Sequence, residues 1–456
     1  MNAEIYFAKA LPSSRIRSDE DSRRTWGRDR TTSFKADPAA VLLPETTAEV
    51  AAIVKAANAG KFKLVPSGGR TGLSGGAVAG PSEVVVSLDH MNQIAGFNGP
   101  DRLLTCQAGV ITQVVQQTAL RHGLFYPVDF ASVGSSQIGG NIATNAGGIR
   151  VIRYGLTRQW IAGLTVVTGT GDVLRLNHGL IKNATGYDLR HLFIGSEGTL
   201  GIVTEVDVRL AMQPEPQRVL VLAVPELAAL MRILKAFSAS IDLSAFEFFS
   251  ELAMSRVIAR GRGVRPMPEI SPLYALIEFD ESAEDEAMRI FEQMVTVGSV
   301  TDGVISRSDA QAKALWALRE NISESLAPER PYKNDISVRI MDVPDFLVAV
   351  DRLVSARYPD FEVCWYGHIG DGNLHLNILK PETMAEPDFV ARCHHISPEL
   401  FREVHLRRGS ISAEHGVGLL KRDFLGFSRS TEEIAAMRAI KAVFDPNGVL
   451  NPGKLF

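Results

Sequence analysis

The chain is short of cysteine, has no surplus of positive charge and carries no long apolar run, and each shortage removes a class of protein. Cys106, Cys364 and Cys393 are the three cysteines in 456 residues. Their odd number and the lack of CxxC spacing exclude a disulfide framework and a zinc knuckle, and suit a reducing, cytoplasmic setting. Lys and Arg number 48 against 52 Asp and Glu, a formal net charge of −4. No global basic excess is present to displace counterions from nucleic acid. Arg15, Arg17, Arg23, Arg24, Arg28 and Arg30 are interleaved with acids and read as a solvated face. No window approaches the roughly eighteen unbroken apolar residues of a membrane span, and the N-terminus shows no signal-peptide h-region. Also missing are a GxGxxG followed by a helix and the Lys-Ser/Thr ending of a Walker loop, which disfavours a Rossmann NAD fold and an ATPase. Gly169-Thr170-Gly171 leads into a strand and is read as a hairpin turn.

With 45% hydrophobic and 22% charged residues, the composition is that of an ordinary globular protein, long enough for two or more domains. A Thr cap and helical spacing predict a helix from Thr46 to Ala57, followed by strands at Leu64-Val65-Pro66, Val84 to Leu88 and Leu103 to Val110 and a helix from Thr112 to about His122. Leu164 to Leu176 reads as a hairpin and Ile202 to Leu210 as an alternating strand. Pro214-Glu215-Pro216 breaks the pattern, so boundaries are placed to give domains 1–212 and 213–429 and a tail 430–456. After the break, Val219 to Val224, Leu227 to Phe237, Leu273 to Phe279 and Glu284 to Met294 suggest an antiparallel sheet with helices on one side. Pro387, Ser397-Pro398-Glu399 and Gly409 predict two short helices between them, and Thr431 to Phe444 predicts an amphipathic helix.

What is abundant is glycine in clusters and histidine in two short segments. Five glycines lie between Gly68 and Gly76. Without Cβ obstruction, backbone N–H groups there can converge on an anion such as a pyrophosphate. Two further clusters, Gly134 to Gly148 and Gly195 to Gly201, add Ser, Thr and Asn donors and favour a large phosphate-bearing cofactor. Downstream, His368 and His375 flank the turn Gly370-Asp371-Gly372, so both rings lean toward the mouth of one hairpin. Glu414 supplies a carboxylate for a two-His, one-carboxylate metal site with open positions. His415 is left over as a base. Asn377, two residues past His375, shares its strand face and either meets a ligand or bonds the backbone. Arg319 and Ser323 are four apart and stack on a helix face; Lys333 follows after Pro328 and Pro331.

The segments Pro66 to Gly76, Gly139 to Gly148, Thr185-Gly186-Tyr187-Asp188-Leu189 and Phe193 to Gly201 resemble the FAD-binding domain of the vanillyl-alcohol oxidase and p-cresol methylhydroxylase superfamily. Gly367 to Asn377, Ser412 to Gly416 and Asn451-Pro452-Gly453-Lys454 extend the likeness over nearly the whole chain, to the D-2-hydroxyacid dehydrogenases of that superfamily and their hydroxyglutarate members above all. The resemblance implies an α+β fold: a two-subdomain FAD-binding domain, an antiparallel-sheet substrate (cap) domain and a C-terminal helical segment. It implies that FAD is held by Pro66, Ser67, Gly68, Gly69, Arg70, Thr71, Gly72, Ser74 and Gly75. Gly134, Ser135, Gly139, Gly140, Asn141, Thr144, Asn145, Gly147 and Gly198 would hold it further, with Ile202 and Val203 beside its rings and Asn451 closing the site. The first loop has no His for a covalent link, so the FAD is expected to be dissociable.

Oxidising a 2-hydroxy acid removes the hydroxyl proton and passes the Cα hydrogen as hydride to flavin N5. His415 is the expected base. A zinc or manganese ion on His368, His375 and Glu414 would orient the acid and lower its hydroxyl pKa. By the resemblance, Arg319, Ser323, Lys333 and Asn377 hold the substrate, Ser323 standing where Thr is common. The activity implied is D-2-hydroxyglutarate to 2-oxoglutarate. Alternatives are D-lactate, D-malate or glycolate oxidation, or a non-catalytic flavin relay subunit, which the intact histidine set disfavours. The expected acceptor is an electron-transfer flavoprotein or a quinone, and a homodimer is the default assembly.

Overall fold

The computed structural model describes residues 3–456. They form two compact units. The first comprises the chain up to Gly148, Gly155–Gln213 and Glu414–Phe456; the second comprises Ile149–Tyr154 and Pro214–Ala413. The chain thus returns to the first unit at Glu414, earlier than the expected boundary at 429, and leaves it for six residues at Ile149.

In the first unit, strands Ala40–Leu42, Glu83–Ser87 and Lys63–Ser67 pair in parallel, with Ile16–Arg17 antiparallel at the edge. Their near-continuous Val and Leu runs suit burial on both faces. Helix Thr47–Gly60 starts where Thr46 Oγ1 accepts the Glu49 N–H at 3.2 Å and stops at Lys61, whose φ of +57° is left-handed. A second, antiparallel sheet has the order Ile94–Asn98, Leu103–Gln107, Gly201–Arg209, Ile161–Thr168, Val173–Leu176. One core spans both sheets, with Leu64, Val84, Val166 and Val206 all buried in it. Leu450 of the tail bridges Leu64 in parallel.

In the second unit, seven antiparallel strands run in the order Asp302–Ile305, Gln217–Val224, Leu273–Asp280, Leu243–Ser250, Glu362–His368, Asn373–Leu379, Tyr332–Ser337. The expectation of helices on one side is corrected here. Val219, Val221 and Ala223 pack with helices Glu251–Ala259 and Asp309–Glu320, while the alternate Leu222 faces Phe291 of helix Glu284–Thr296. Both faces are covered, as central strands buried throughout their length require.

The two helices expected around Pro398 are one, Glu386–Leu406. Phe389, Ile396, Leu400, Phe401 and Val404 are buried on both sides of the proline at unbroken helical spacing. At about 1.5–3 kcal/mol for each large side chain, their burial outweighs the roughly 3 kcal/mol that an interior proline costs. Conversely, Arg319 and Ser323 do not share a helix. The chain divides at Asn321, whose side-chain amide donates to Arg262 O at 3.1 Å, into Asp309–Glu320 and Ile322–Leu326. Among the described residues no helix is long and apolar enough to cross a membrane.

Candidate active site

Strands Glu362–His368 and Asn373–Leu379 form the expected hairpin, pairing His368 with Asn373 and Tyr366 with His375. Strand Tyr332–Ser337 lies beside it, with Asp335 opposite His375 and Lys333 opposite Asn377. Because side chains alternate, these residues share one face of the sheet. The His368 and His375 ring centroids are 5.2 Å apart.

Two carboxylates that the sequence reading passed over sit behind the histidines. Glu247 is 1% exposed. Its Oε1 is 2.7 Å from His368 Nδ1 and its Oε2 is 2.8 Å from Arg319 Nε. Asp335, also buried, accepts from Asn373 Nδ2 at 2.8 Å and lies 3.7 Å from His375 Nδ1. A carboxylate on Nδ1 leaves Nε2 of His368 as the ring's lone pair, the arrangement in which metal-binding histidines are usually held. A lone acid within Phe246-Glu247-Phe248-Phe249 was the available signal for Glu247. His368 and His375 place two imidazole donors on one sheet face, a pair whose chemistry fits zinc or manganese.

The guanidinium of Arg319 is 4.8 Å above the Tyr366 ring. Burial pushes the Tyr366 phenol up, opposed by Arg319, Ser323 and Asn377. Asn377 Nδ2 donates to His375 O at 3.2 Å, while its buried Oδ1 has no hydrogen-bond partner among the described residues. Lys333 Nζ donates to Ser323 Oγ at 3.0 Å, so these two predicted substrate residues meet each other.

Glu414 and His415 belong to the first unit. There Glu414 Oε1 accepts the Gly148 N–H at 2.8 Å, tying the second glycine cluster to the acid. The residues expected to hold the cofactor begin at the edge strand of the parallel sheet. Pro66 and Ser67 end strand Lys63–Ser67, and the loop from Gly68 to Gly76 follows. A Cβ at Gly69 would stand 2.2 Å from Ser135 O, and one at Gly139 would stand 2.7 Å from the Ala108 Cβ, so both loops need glycine for close approach. Arg70 is turned to Asp89 at 3.1 Å, and Asn141 Nδ2 donates to Thr112 Oγ1 at 2.6 Å. Thr144 Oγ1 donates to Gly140 O, and Asn145 Oδ1 accepts the Arg158 N–H. Ile202 and Val203 are buried at the start of strand Gly201–Arg209. Asn451 Nδ2 donates to Gly76 O at 2.9 Å and Glu197 O at 2.7 Å.

The first unit fits FAD. Among the described residues, Gln137 Oε1 and Asn451 Oδ1 are buried without protein partners, Gln137 facing Gly68, and a Cβ at Gly140 would meet nothing within 4 Å. Such orphaned polar atoms next to a glycine-lined loop are what a large polar ligand satisfies.

Residues 38–177 match the FAD binding domain family, and residues 213–455 match the C-terminal domain of FAD linked oxidases. The chain is 55% identical over 445 residues to the D-2-hydroxyglutarate dehydrogenase of Stutzerimonas stutzeri, covering 97% of this chain and 96% of that one. It is 36% identical to the mitochondrial enzyme of the same name from Danio rerio, over 99% of this chain and 84% of that one. Among solved structures, p-cresol methylhydroxylase has a TM-score of 0.79 at 15% identity, covering 99% of this chain and 96% of its own. The 4-ethylphenol oxidase of Gulosibacter chungangensis has a TM-score of 0.76 at 18% identity, covering 100% and 96%. These two likenesses establish the fold, α+β of the vanillyl-alcohol oxidase type. Together with the two matched domains and the relatives of full length, they make the chain a flavoprotein dehydrogenase that belongs to the FAD-dependent D-2-hydroxyglutarate dehydrogenase family.

Proposed function

We propose that the chain oxidises D-2-hydroxyglutarate to 2-oxoglutarate with non-covalent FAD and a divalent metal ion, zinc or manganese. The observation that carries this reading is the sheet face that presents His368, His375, Asn377 and Lys333, against which helix Asp309–Glu320 brings Arg319 to Glu247. His368, His375 and Glu414 would hold the metal, which supplies a Lewis acid for the hydroxyl and one carboxylate. Bound FAD supplies the hydride acceptor at N5. His415 Nδ1 or Nε2 takes the hydroxyl proton. Arg319 and the Lys333–Ser323 pair supply cationic and hydroxyl donors for the distal carboxylate, which needs them as the pocket dries. Asn377 supplies an amide.

The reading is tested by mixing oxidised protein anaerobically with D-2-hydroxyglutarate, D-lactate, D-malate and glycolate and following the flavin absorbance. D-2-Hydroxyglutarate is expected to bleach it fastest, and a chelator is expected to abolish the bleaching. Bleaching by D-lactate alone would reassign the substrate, and no bleaching by any acid would end the dehydrogenase mechanism drawn here. His415→Gln is expected to slow reduction by about 10²–10⁴-fold without loss of flavin. An electron-transfer flavoprotein or a quinone would reoxidise the flavin, and each can be assayed directly as acceptor.

A further inference from the structure

Glu197 takes no part in that scheme, yet it is tied, directly or through Asn451, to all three glycine clusters. It belongs to the third, and its N–H donates to Ala143 O of the second at 2.8 Å. Its carbonyl accepts at 2.7 Å from the same Asn451 amide that reaches Gly76 of the first. Its backbone is left-handed, with φ +51°, and the residue is 7% exposed. The side chain points to the loop that follows His415. Oε1 accepts the Val417 N–H at 2.7 Å and Oε2 accepts the Gly418 N–H at 2.8 Å. Gly416, with φ +79°, lies so close that a Cβ there would be 2.9 Å from the Glu197 carboxyl carbon.

We infer that Glu197 is a positioning residue for His415, fixing the imidazole's loop to the flavin cradle through two amide hydrogen bonds. The inference rests on His415 acting as the base. A carboxylate suits the task because it offers one acceptor oxygen to each of two adjacent N–H donors, without a donor of its own. Glutamine keeps the size but turns an NH2 group toward one of those N–H groups. An imidazole left loose by even an ångström loses much of its rate, since proton transfer depends on orientation.

The test uses full-length holoprotein carrying Glu197→Gln, His415→Ala or both. Amide hydrogen exchange is read at Val417 and Gly418, and flavin reduction is read with the 2-hydroxy acid that works best on the unaltered protein. Glu197→Gln is expected to lose protection at those two amides, keep its flavin and slow reduction roughly 10–100-fold, yet slow the His415→Ala background by less than about 3-fold. Gly416→Ala, which pushes the same loop off the carboxylate, is expected to reproduce the effect and serves if Glu197→Gln is insoluble. Unchanged protection in Glu197→Gln overturns the inference whatever the substrate, as does an equal slowing in both backgrounds. Failure of the unaltered protein to be bleached counts separately, against the function proposed above.

Discussion

Glu247 serves two cation-capable groups at once, accepting from His368 Nδ1 through one oxygen and facing Arg319 Nε through the other. In the mechanism proposed above, metal binding and diacid recognition would therefore be linked through one buried side chain. Glu247→Gln leaves only one acceptor oxygen for the two partners. It is expected to weaken metal binding about 10–100-fold, measured by chelator competition, and to raise the KM for D-2-hydroxyglutarate more than that for D-lactate. Unchanged metal affinity would show that His368 does not need this partner. His368 and His375 are legible in the sequence because a Gly-Asp-Gly turn and period-two alternation are local signals. Glu247 stands out locally only as a lone acid in an apolar run, and its partnership with His368 is not legible, because the two are 121 residues apart. Only strand order brings the two together.

At the scale of elements, Ile149–Tyr154 is bound to strand Leu273–Asp280 by two ion pairs. Arg150 Nε reaches Glu278 Oε1 at 2.8 Å, and Arg153 reaches both oxygens of Asp280 at 2.7 Å. The Arg153 hydrogen bond holds the Asp280 carboxyl below its ordinary 3.8. A carboxyl lowered by folding stabilises above its unfolded pKa, and that stability is lost as pH falls through the folded value. Asp280→Asn is therefore expected to cost about 1–2 kcal/mol in urea unfolding at pH 7, and nothing once pH falls below the lowered value. A difference independent of pH would assign the cost to packing. Most strands and the helix from Thr47 were readable from caps and alternation. The misreadings lie where packing overrides a local signal. Pro398 reads as a stop but sits on a stripe of buried side chains, and Asn321 divides a pattern that reads as continuous. The third unread feature, strand Leu243–Ser250, is buried on both faces and gives no alternation to detect.

For the whole molecule, the route of the chain matters more than the boundary residues. A fragment spanning 214–413 would lack Ile149–Tyr154 and leave Glu278, 3% exposed in the intact chain, without Arg150. That fragment is expected to be aggregated or molten by near-UV circular dichroism, and linking residues 149–154 to it is expected to recover order. A folded, soluble 214–413 fragment would show the segment to be dispensable. The first unit is discontinuous too, and its last piece has a consequence for synthesis. Leu64 N–H donates to Val449 O at 2.8 Å, Asn451 N–H donates to Leu64 O at 2.7 Å, and the Asn451 side chain ties Gly76 to Glu197. A ribosome reaches these residues only after making the entire second unit. The nucleotide-binding part of a nascent chain is therefore expected to stay open through most of translation, and flavin to be captured only once residues 449–451 have been made.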